Sequence, residues 1–335
     1  MSYAMTTFSQ NKQRVLPKNG TIAIVSPSGI IAPEHLRGGV DALKSAGYNV
    51  VLMPHAAGPA SGMFAATDEE RAEDLALALS DPTIDVVWCS RGGYGAIRTM
   101  LALPRAVHRV CPELFDPQDP LAIFGKTDKM LVGFSDITVL LSAFVKRGQY
   151  AIHGPMLKHI STYGIDAPDV QMTLDLLQGK NVEIPFDPLP GSDMRSVDGL
   201  ILGGNLSIIE SIQRTPLQLD VQQCLLFIED LNEFLYHIDR MAHNLLFSGF
   251  FAKVSGIIVG QMTDMKDGAT PFGCTAYDIF SRIADQCKCS IALGFPAGHG
   301  KPFNYPILMG SYASYRKGKL FLRRKYAPQS MGPNL

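Results

Sequence analysis

Short apolar runs that alternate with stretches of helical periodicity constrain this chain more than any other feature. Residues 21–25, 49–53, 84–89 and 130–133 are such runs, and continuous apolar segments of this length suit strands covered on both faces. Between the first two, Leu36, Val40 and Leu43 recur at helical spacing over residues 33–46, with Pro33 at the start and Gly47 at the stop. Thr67-Asp68-Glu69-Glu70 has the form of a capping box and opens a helix to about residue 79. Strand and helix in alternation predict an α/β fold with a largely parallel, doubly wound sheet.

The run at 130–133 continues through Phe134 into Ser135. Beyond it Ile137, Leu140, Leu141, Phe144 and Val145 fall on one helical face, and Lys146-Arg147-Gly148 supplies a basic last turn and a glycine stop. Ser135 therefore sits where a strand turns into a helix. Free backbone N–H groups and the positive end of the helix dipole favour negative charge there, such as an oxyanion on an attacked carbonyl. Serine is also a preferred helix cap, so these residues alone leave Ser135 as either cap or nucleophile. A second glycine-rich turn, Ser90-Arg91-Gly92-Gly93-Tyr94-Gly95, follows the run at 84–89 and precedes a helix over 96–103. Its glycines let a ligand approach backbone N–H groups closely; the other reading is a plain flexible turn.

Elsewhere the pattern is coarser. Residues 6–20 are polar and read as a loose start, and 104–128 lack a period and read as a long surface loop or insertion, a possible lid. Residues 150–155 form a short strand ending in His153-Gly154-Pro155, and a helix follows over 168–179. A Pro-, Asp- and Gly-rich stretch over 184–198 suggests an N-terminal α/β domain over 1–165, a linker region over 166–195 and a C-terminal domain over 196–335. That second part opens with a strand and glycine turn at 199–206 and a helix over 207–213. A strand at 224–228 delivers Glu229-Asp230, and a helix over 233–247 carries Phe234, Ile238, Met241, Leu245 and Leu246 as its apolar stripe. Strands follow at 256–261 and 291–295, the latter ending in Pro296-Ala297-Gly298-His299-Gly300, and then a hairpin over 312–323 closed by Lys317-Gly318-Lys319.

Composition excludes several classes of function. Thirty Lys and Arg against 31 Asp and Glu leave no net field for nucleic acid or a membrane surface. Six cysteines scattered through a chain with no signal-peptide pattern suit reduced thiols in the cytoplasm, and no apolar run approaches the roughly 20 residues of a membrane span. Cys287-Lys-Cys289 lacks zinc-knuckle spacing and reads as structural. GxGxxG, GxxxxGK[ST] and HExxH motifs are missing from the sequence, which gives nucleotide binding and zinc hydrolysis little support. His237 and His243 fall on different helical faces, and His55, His108 and His159 have no flanking pattern. His299 differs, held between glycines just after an apolar strand, and Glu229 stands similarly at a strand end. With Ser135 these are the three parts that serine hydrolysis needs; spacing alone does not show that they meet.

Five motifs in this order closely resemble the LD-carboxypeptidase family of serine peptidases, which includes muramoyl-tetrapeptide carboxypeptidases and microcin C self-immunity peptidases. They are Ser90-Arg91-Gly92-Gly93-Tyr94-Gly95, the stretch from Val132 to Thr138, Gly203-Gly204-Asn205-Leu206, Phe227-Ile228-Glu229-Asp230 and Gly298-His299-Gly300. The resemblance implies a Rossmann-like N-terminal domain with a parallel sheet, a smaller β-rich C-terminal domain, and commonly a cytoplasmic homodimer that uses no metal or cofactor. It places the nucleophile on Ser135, the carboxylate on Glu229, the general base on His299 and the oxyanion donors on the backbone N–H groups of Gly93 and Asp136. Gly92 and Tyr94 are the substrate-binding candidates, and the Asp136 side chain suits the start of its own helix. Implied is release of a terminal D-amino acid from an L,D-peptide, most simply D-alanine from murein tetrapeptide in cell-wall recycling. The alternatives are a peptidase acting on an aminoacyl-nucleotide toxin, with Tyr94 or Trp88 stacking on the base, and a noncatalytic peptide-binding protein on the same scaffold. The turn at Ser135 lacks the final glycine of the GxSxG elbow, which separates it from the α/β-hydrolases. Phe134 stands where tyrosine is frequent, and 104–129 is longer than the usual link.

Overall fold

Two mixed α/β sheets share one continuous hydrophobic core. The computed structural model describes residues 13–316 and 318–324. Its first part runs β1 (Thr21–Val25), α1 (Pro33–Ser45), β2 (Asn49–Leu52), α2 (Asp68–Ser80), β3 (Val86–Cys89), α3 (Ala96–Val110), α4 (Ala122–Lys126), β4 (Met130–Gly133), α5 (Thr138–Lys146), β5 (Ala151–His153), α6 (Leu157–Tyr163) and α7 (Pro168–Leu177). There follow β6 (Val182–Pro185), β7 (Ser196–Asn205), α8 (Leu206–Ser211), β8 (Cys224–Leu231), α9 (Leu235–Phe247), β9 (Gly256–Thr263), α10 (Ala276–Cys287), β10 (Ser290–Leu293), β11 (Ile307–Met309), β12 (Tyr312–Arg316) and β13 (Lys319–Arg323).

The first sheet has the order β11-β5-β4-β3-β1-β2, parallel except for β11. Because side chains alternate along a strand, Ile22, Ile24, Trp88, Val132 and Ile152 face the core shared with the second sheet, while Ala23, Val25, Val87, Cys89 and Leu131 face α2, α3 and α5. Both faces are covered over β1, β3, β4 and β5, whereas β2, at the sheet edge, leaves Val51 and Leu52 exposed and is not the doubly covered strand that its apolar run suggests. The second sheet, β10-β9-β8-β7-β12-β13-β6, is parallel from β7 to β10 and antiparallel beyond. The fold class is therefore the expected one.

Several elements depart from the sequence expectation. Residues 104–128 are not an open loop: α3 continues through Pro104 to Val110, and Leu121, Ile123 and Phe124 are buried beyond it. A proline inside a helix costs about 3 kcal/mol. Burial of Leu103, Ala106 and Val107 against α2 and its surroundings contributes an amount of that order and keeps the helix whole. The Pro-rich stretch near residue 184 contains β6, which pairs with β13. Strand β11 also carries no obvious sequence signal, yet it leaves the second half of the chain and adds to the first sheet beside β5. Residues 6–12 of the expected loose start and Lys317 of the hairpin turn lie outside the described residues, but Gln13 is fixed, its amide donating to the carbonyls of Lys129 and Tyr150 at 2.7 and 2.8 Å.

Helix α5 joins the two halves. Every residue from Thr138 to Val145 is buried, not only the expected apolar face. Its first residue, Thr138, accepts a hydrogen bond from the Asn205 N–H at the end of β7 at 3.1 Å. Gly204 makes that approach possible, since a Cβ there would stand 2.6 Å from Thr138 Oγ1, and Gly203 lets β7 pair closely with β8, since a Cβ there would stand 1.9 Å from the Phe227 carbonyl. Gly203→Ala, at φ +140°, is expected to destabilise the protein by about 3 kcal/mol or more, read as a lowered urea midpoint.

Candidate active site

At the end of β4 the chain turns sharply. Gly133 leaves room for the turn to fold back, since a Cβ there would lie 2.7 Å from Ile137 Cγ2. Phe134 is extended, and Ser135 then adopts φ +65°, a left-handed conformation that a non-glycine residue holds only at a cost of about 1–3 kcal/mol. Ser135 to Ile137 form a single 3-10 turn ahead of α5, with no side-chain cap. The Ser135 Oγ instead stands 3.0 Å from Nε2 of His299.

His299 lies in the loop after β10. Its Nδ1 is 2.7 Å from Oε2 of Glu229, which is fully buried at the carboxyl end of β8. The β8–β9 register shifts between Ile228 and Asp230, an irregularity of the kind that re-aims a side chain. Gly298, at φ +126°, permits the close approach, because a Cβ there would be 2.9 Å from Glu229 Oε2. The loop is held from three sides. The Gly298 N–H donates to Asn304 Oδ1 at 2.8 Å, the Asn304 N–H to Asp169 Oδ2 at 2.7 Å, and the Gly300 N–H to Gln261 Oε1 at 2.7 Å. Asp169, Gln261 and Asn304 were not read from the sequence; their links span 39 to 135 residues or lie inside an irregular loop, where no local pattern marks them.

The glycine-rich turn after β3 closes over the same serine. A Cβ on Gly92 would meet Ser135 Cβ at 3.0 Å and Oγ at 3.2 Å, and Gly93 takes φ +110°. Two buried charged side chains anchor the far end of this turn. The Arg71 guanidinium donates to the carbonyls of Pro27 and Gly95 at 2.8 and 3.0 Å and to Thr99 Oγ1 at 2.7 Å, with Asp68 as its carboxylate partner. Asp136 Oδ2 accepts from Ser28 Oγ at 2.5 Å and from the Ala96 N–H at 2.8 Å. The Asp136 side chain thus serves the start of α3, not of its own helix, tying the glycine turn to the serine turn. Tyr94 is 46% exposed at the rim, its ring centroid 5.9 Å from that of Phe64. Trp88 is fully buried and donates to the Pro155 carbonyl at 2.9 Å, so it is not available to stack on a ligand.

The family model described as LD-carboxypeptidase N-terminal domain matches residues 22–154, and that described as LD-carboxypeptidase C-terminal domain matches residues 198–314. The chain belongs to the LD-carboxypeptidase family. It is an enzyme, a serine-type peptidase of that family. A murein tetrapeptide carboxypeptidase of Pseudomonas aeruginosa is 30% identical over 305 residues, covering 88% of this chain and 93% of the relative. The crystal structure of a muramoyltetrapeptide carboxypeptidase from Oxalobacter formigenes superposes with a TM-score of 0.77 at 26% identity, over 92% of this chain and all of that one. The microcin C7 self-immunity protein MccF shares the fold, with a TM-score of 0.77 at 20% identity over 94% of this chain and 98% of the other.

In this LD-carboxypeptidase family member the site's charges are set by enclosure and pairing. Burial pushes the Glu229 carboxyl up, but the nearby His299, its hydrogen bond, His153 and a hydrogen bond from the Asn205 side chain together hold it below the usual glutamate value. Burial likewise pulls His299 down, and the charge and hydrogen bond of Glu229, with the charge of Asp230, override it, so His299 titrates above an ordinary histidine. Burial, then the neighbouring Glu229, push Asp230 to about 6; it accepts from Asn205 Nδ2 and the Ser207 N–H, both at 2.9 Å, and fixes the start of α8. Only neutral His299 can take a proton from Ser135. The rate should therefore rise with pH through a midpoint above the usual histidine value of about 6.5. Glu229→Gln is expected to lower that midpoint and to cost about 10³–10⁴ in kcat, both read from a pH–rate profile.

Proposed function

We propose that this chain is a serine carboxypeptidase that hydrolyses the amide between an L-configured centre and a terminal D-amino acid, with D-alanine release from murein tetrapeptide as its reaction. The observation that carries this reading is the chain of contacts from Ser135 Oγ to His299 Nε2 and from His299 Nδ1 to Glu229 Oε2, at 3.0 and 2.7 Å. The murein tetrapeptide carboxypeptidase among its relatives supports the substrate class.

In this mechanism Ser135 Oγ attacks the carbonyl carbon of the L-centre while its proton passes to Nε2 of His299. Glu229 orients the imidazole and stabilises its charged form. The oxyanion is received by the backbone N–H groups of Gly93 and Asp136, with Gly92 leaving the space beside Oγ open. Collapse of the tetrahedral intermediate breaks the C–N bond, and His299 returns its proton to the departing amine. Water then attacks the acyl-enzyme through the same base and frees Ser135. Tyr94 borders the entrance as a substrate contact. In this reading the segment 1–165 contributes the nucleophile and the segment 196–335 the base and carboxylate, across the region 166–195. The enzyme works as a cytoplasmic homodimer on recycled fragments; among the described residues no helix is long and apolar enough to cross a membrane.

Ser135→Ala should fold normally, as read by thermal unfolding, and lose at least about 10⁴ of the D-alanine release from an L,D-tetrapeptide. Retained activity in that variant would overturn the assignment. Gly92→Val, which brings a side chain against the nucleophile, is expected to lower kcat about 10²–10³-fold with a far smaller change in melting temperature. Running an aminoacyl sulfamoyl adenosine beside the tetrapeptide separates the peptide reading from the toxin-cleaving one: faster turnover of the nucleotide would favour the latter. Binding of the tetrapeptide without product release would favour a noncatalytic protein.

A further inference from the structure

His153 ends β5 with its ring fully enclosed, paired in register with Gly133 of β4. Its ring centroid lies 5.5 Å from that of Phe134 and 4.9 Å from that of Phe227, which meets it edge-on. Phe134 in turn packs against His299, centroid to centroid at 4.9 Å. The imidazole is thus one aromatic layer behind the site. Among the described residues neither of its ring nitrogens has a hydrogen-bond partner, and Oε1 of Glu229, the oxygen not engaged by His299, has no partner in good hydrogen-bond geometry, the Asn205 side chain being the other polar group that faces the carboxylate. Buried polar atoms left in this condition are uncommon because they forgo the hydrogen bonds that water would supply.

The needs of the two groups are complementary. Burial lowers His153 to about 4, against the pull of Glu229 and with His299 adding to the depression. At working pH the ring is neutral, with one N–H to donate and one nitrogen to accept. The titratable groups facing it are Glu229 from β8 and His299 from the loop after β10; the turn after β4 and the interior of β8 present the phenyl rings of Phe134 and Phe227. No direct hydrogen bond joins His153 to Glu229. A single enclosed water with these two groups as partners meets both requirements.

We propose that His153 is a positioning residue for the triad, donating its ring N–H through one bridging water to Oε1 of Glu229, so that Oε2 is held in line with His299. The inference rests on the serine-peptidase reading, although its first readout needs no substrate. A donor on Oε1 draws negative charge away from the carboxylate and tempers its pull on the His299 imidazolium. Removing the donor strengthens that pull and raises the His299 pKa.

The test is a ring-nitrogen NMR titration of His299 in the parent protein and in His153→Phe, His153→Gln and the double variant with Glu229→Gln. His153→Phe is expected to move the His299 midpoint upward by roughly half a unit, and His153→Gln, which keeps an N–H donor, to bring it back toward the parent. In the Glu229→Gln background the Phe substitution should produce no shift. D-Alanine release by His153→Phe should show kcat reduced about 10- to 100-fold at unchanged KM. An unmoved midpoint in folded His153→Phe, or an equal shift without the Glu229 carboxylate, would overturn the proposal. Should His153→Phe fail to fold, His153→Leu against His153→Gln makes the same comparison. A parent protein that releases no D-alanine would refute the substrate reading and leave the titration result standing.

Discussion

The ionic hydrogen bond between Glu229 and His299 is the interaction to which the rest of the structure accommodates itself. A carboxylate without solvent contact is tolerated only when it is paired, and breaking such a pair from one side typically costs about 3–5 kcal/mol. The chain meets that demand by construction. The register shift in β8 aims the side chain, Gly298 removes the Cβ that would obstruct it, and Asn304 and Asp169 fix the loop that brings the imidazole. Three separated segments are thereby committed to one geometry.

Strain at Ser135 is the other half of that commitment. Its left-handed backbone is held because the surrounding structure leaves the turn little freedom: β4 is buried on both sides, α5 is buried throughout, and Asp136 is bonded to both neighbouring loops. Arg71 completes the frame behind the glycine turn. Burial lowers its affinity for the proton, Asp68 and Asp136 oppose that, and the result is a fixed cation bonded to the Pro27 loop, the start of α3 and Asp68 of its own helix. Backbone donors set in such a frame need little reorganisation when charge develops near them.

What could be read from the sequence was whatever had a local cause. The Thr67 capping box forms as written, with Glu70 reciprocating, because both partners lie within one helical turn. The apolar runs became strands because alternation and burial are recorded residue by residue. Pro104 misled because its cost is local whereas the burial that offsets it belongs to residues packed from elsewhere. Strands β6 and β11 were missed for a related reason: each is three or four residues long and is fixed by a partner more than 130 residues away. In the site, residue types and order suggested Ser135, Glu229 and His299, but the sign of φ at Ser135 has no signature in a serine. The roles of the Asp136 carboxylate and of Arg71 were invisible because they consist of contacts between turns that are unrelated in sequence.

The return of β11 to the first sheet carries a consequence for biogenesis. His299 precedes that strand by only eight residues, and the loop bearing it is stretched between β10 in one sheet and β11 in the other. A nascent chain that has already folded its first five strands still presents an unfinished sheet edge at β5 and an unpaired serine. Both are completed by the same segment of polypeptide, the one that follows β10, so competence for chemistry arrives together with closure of the sheet.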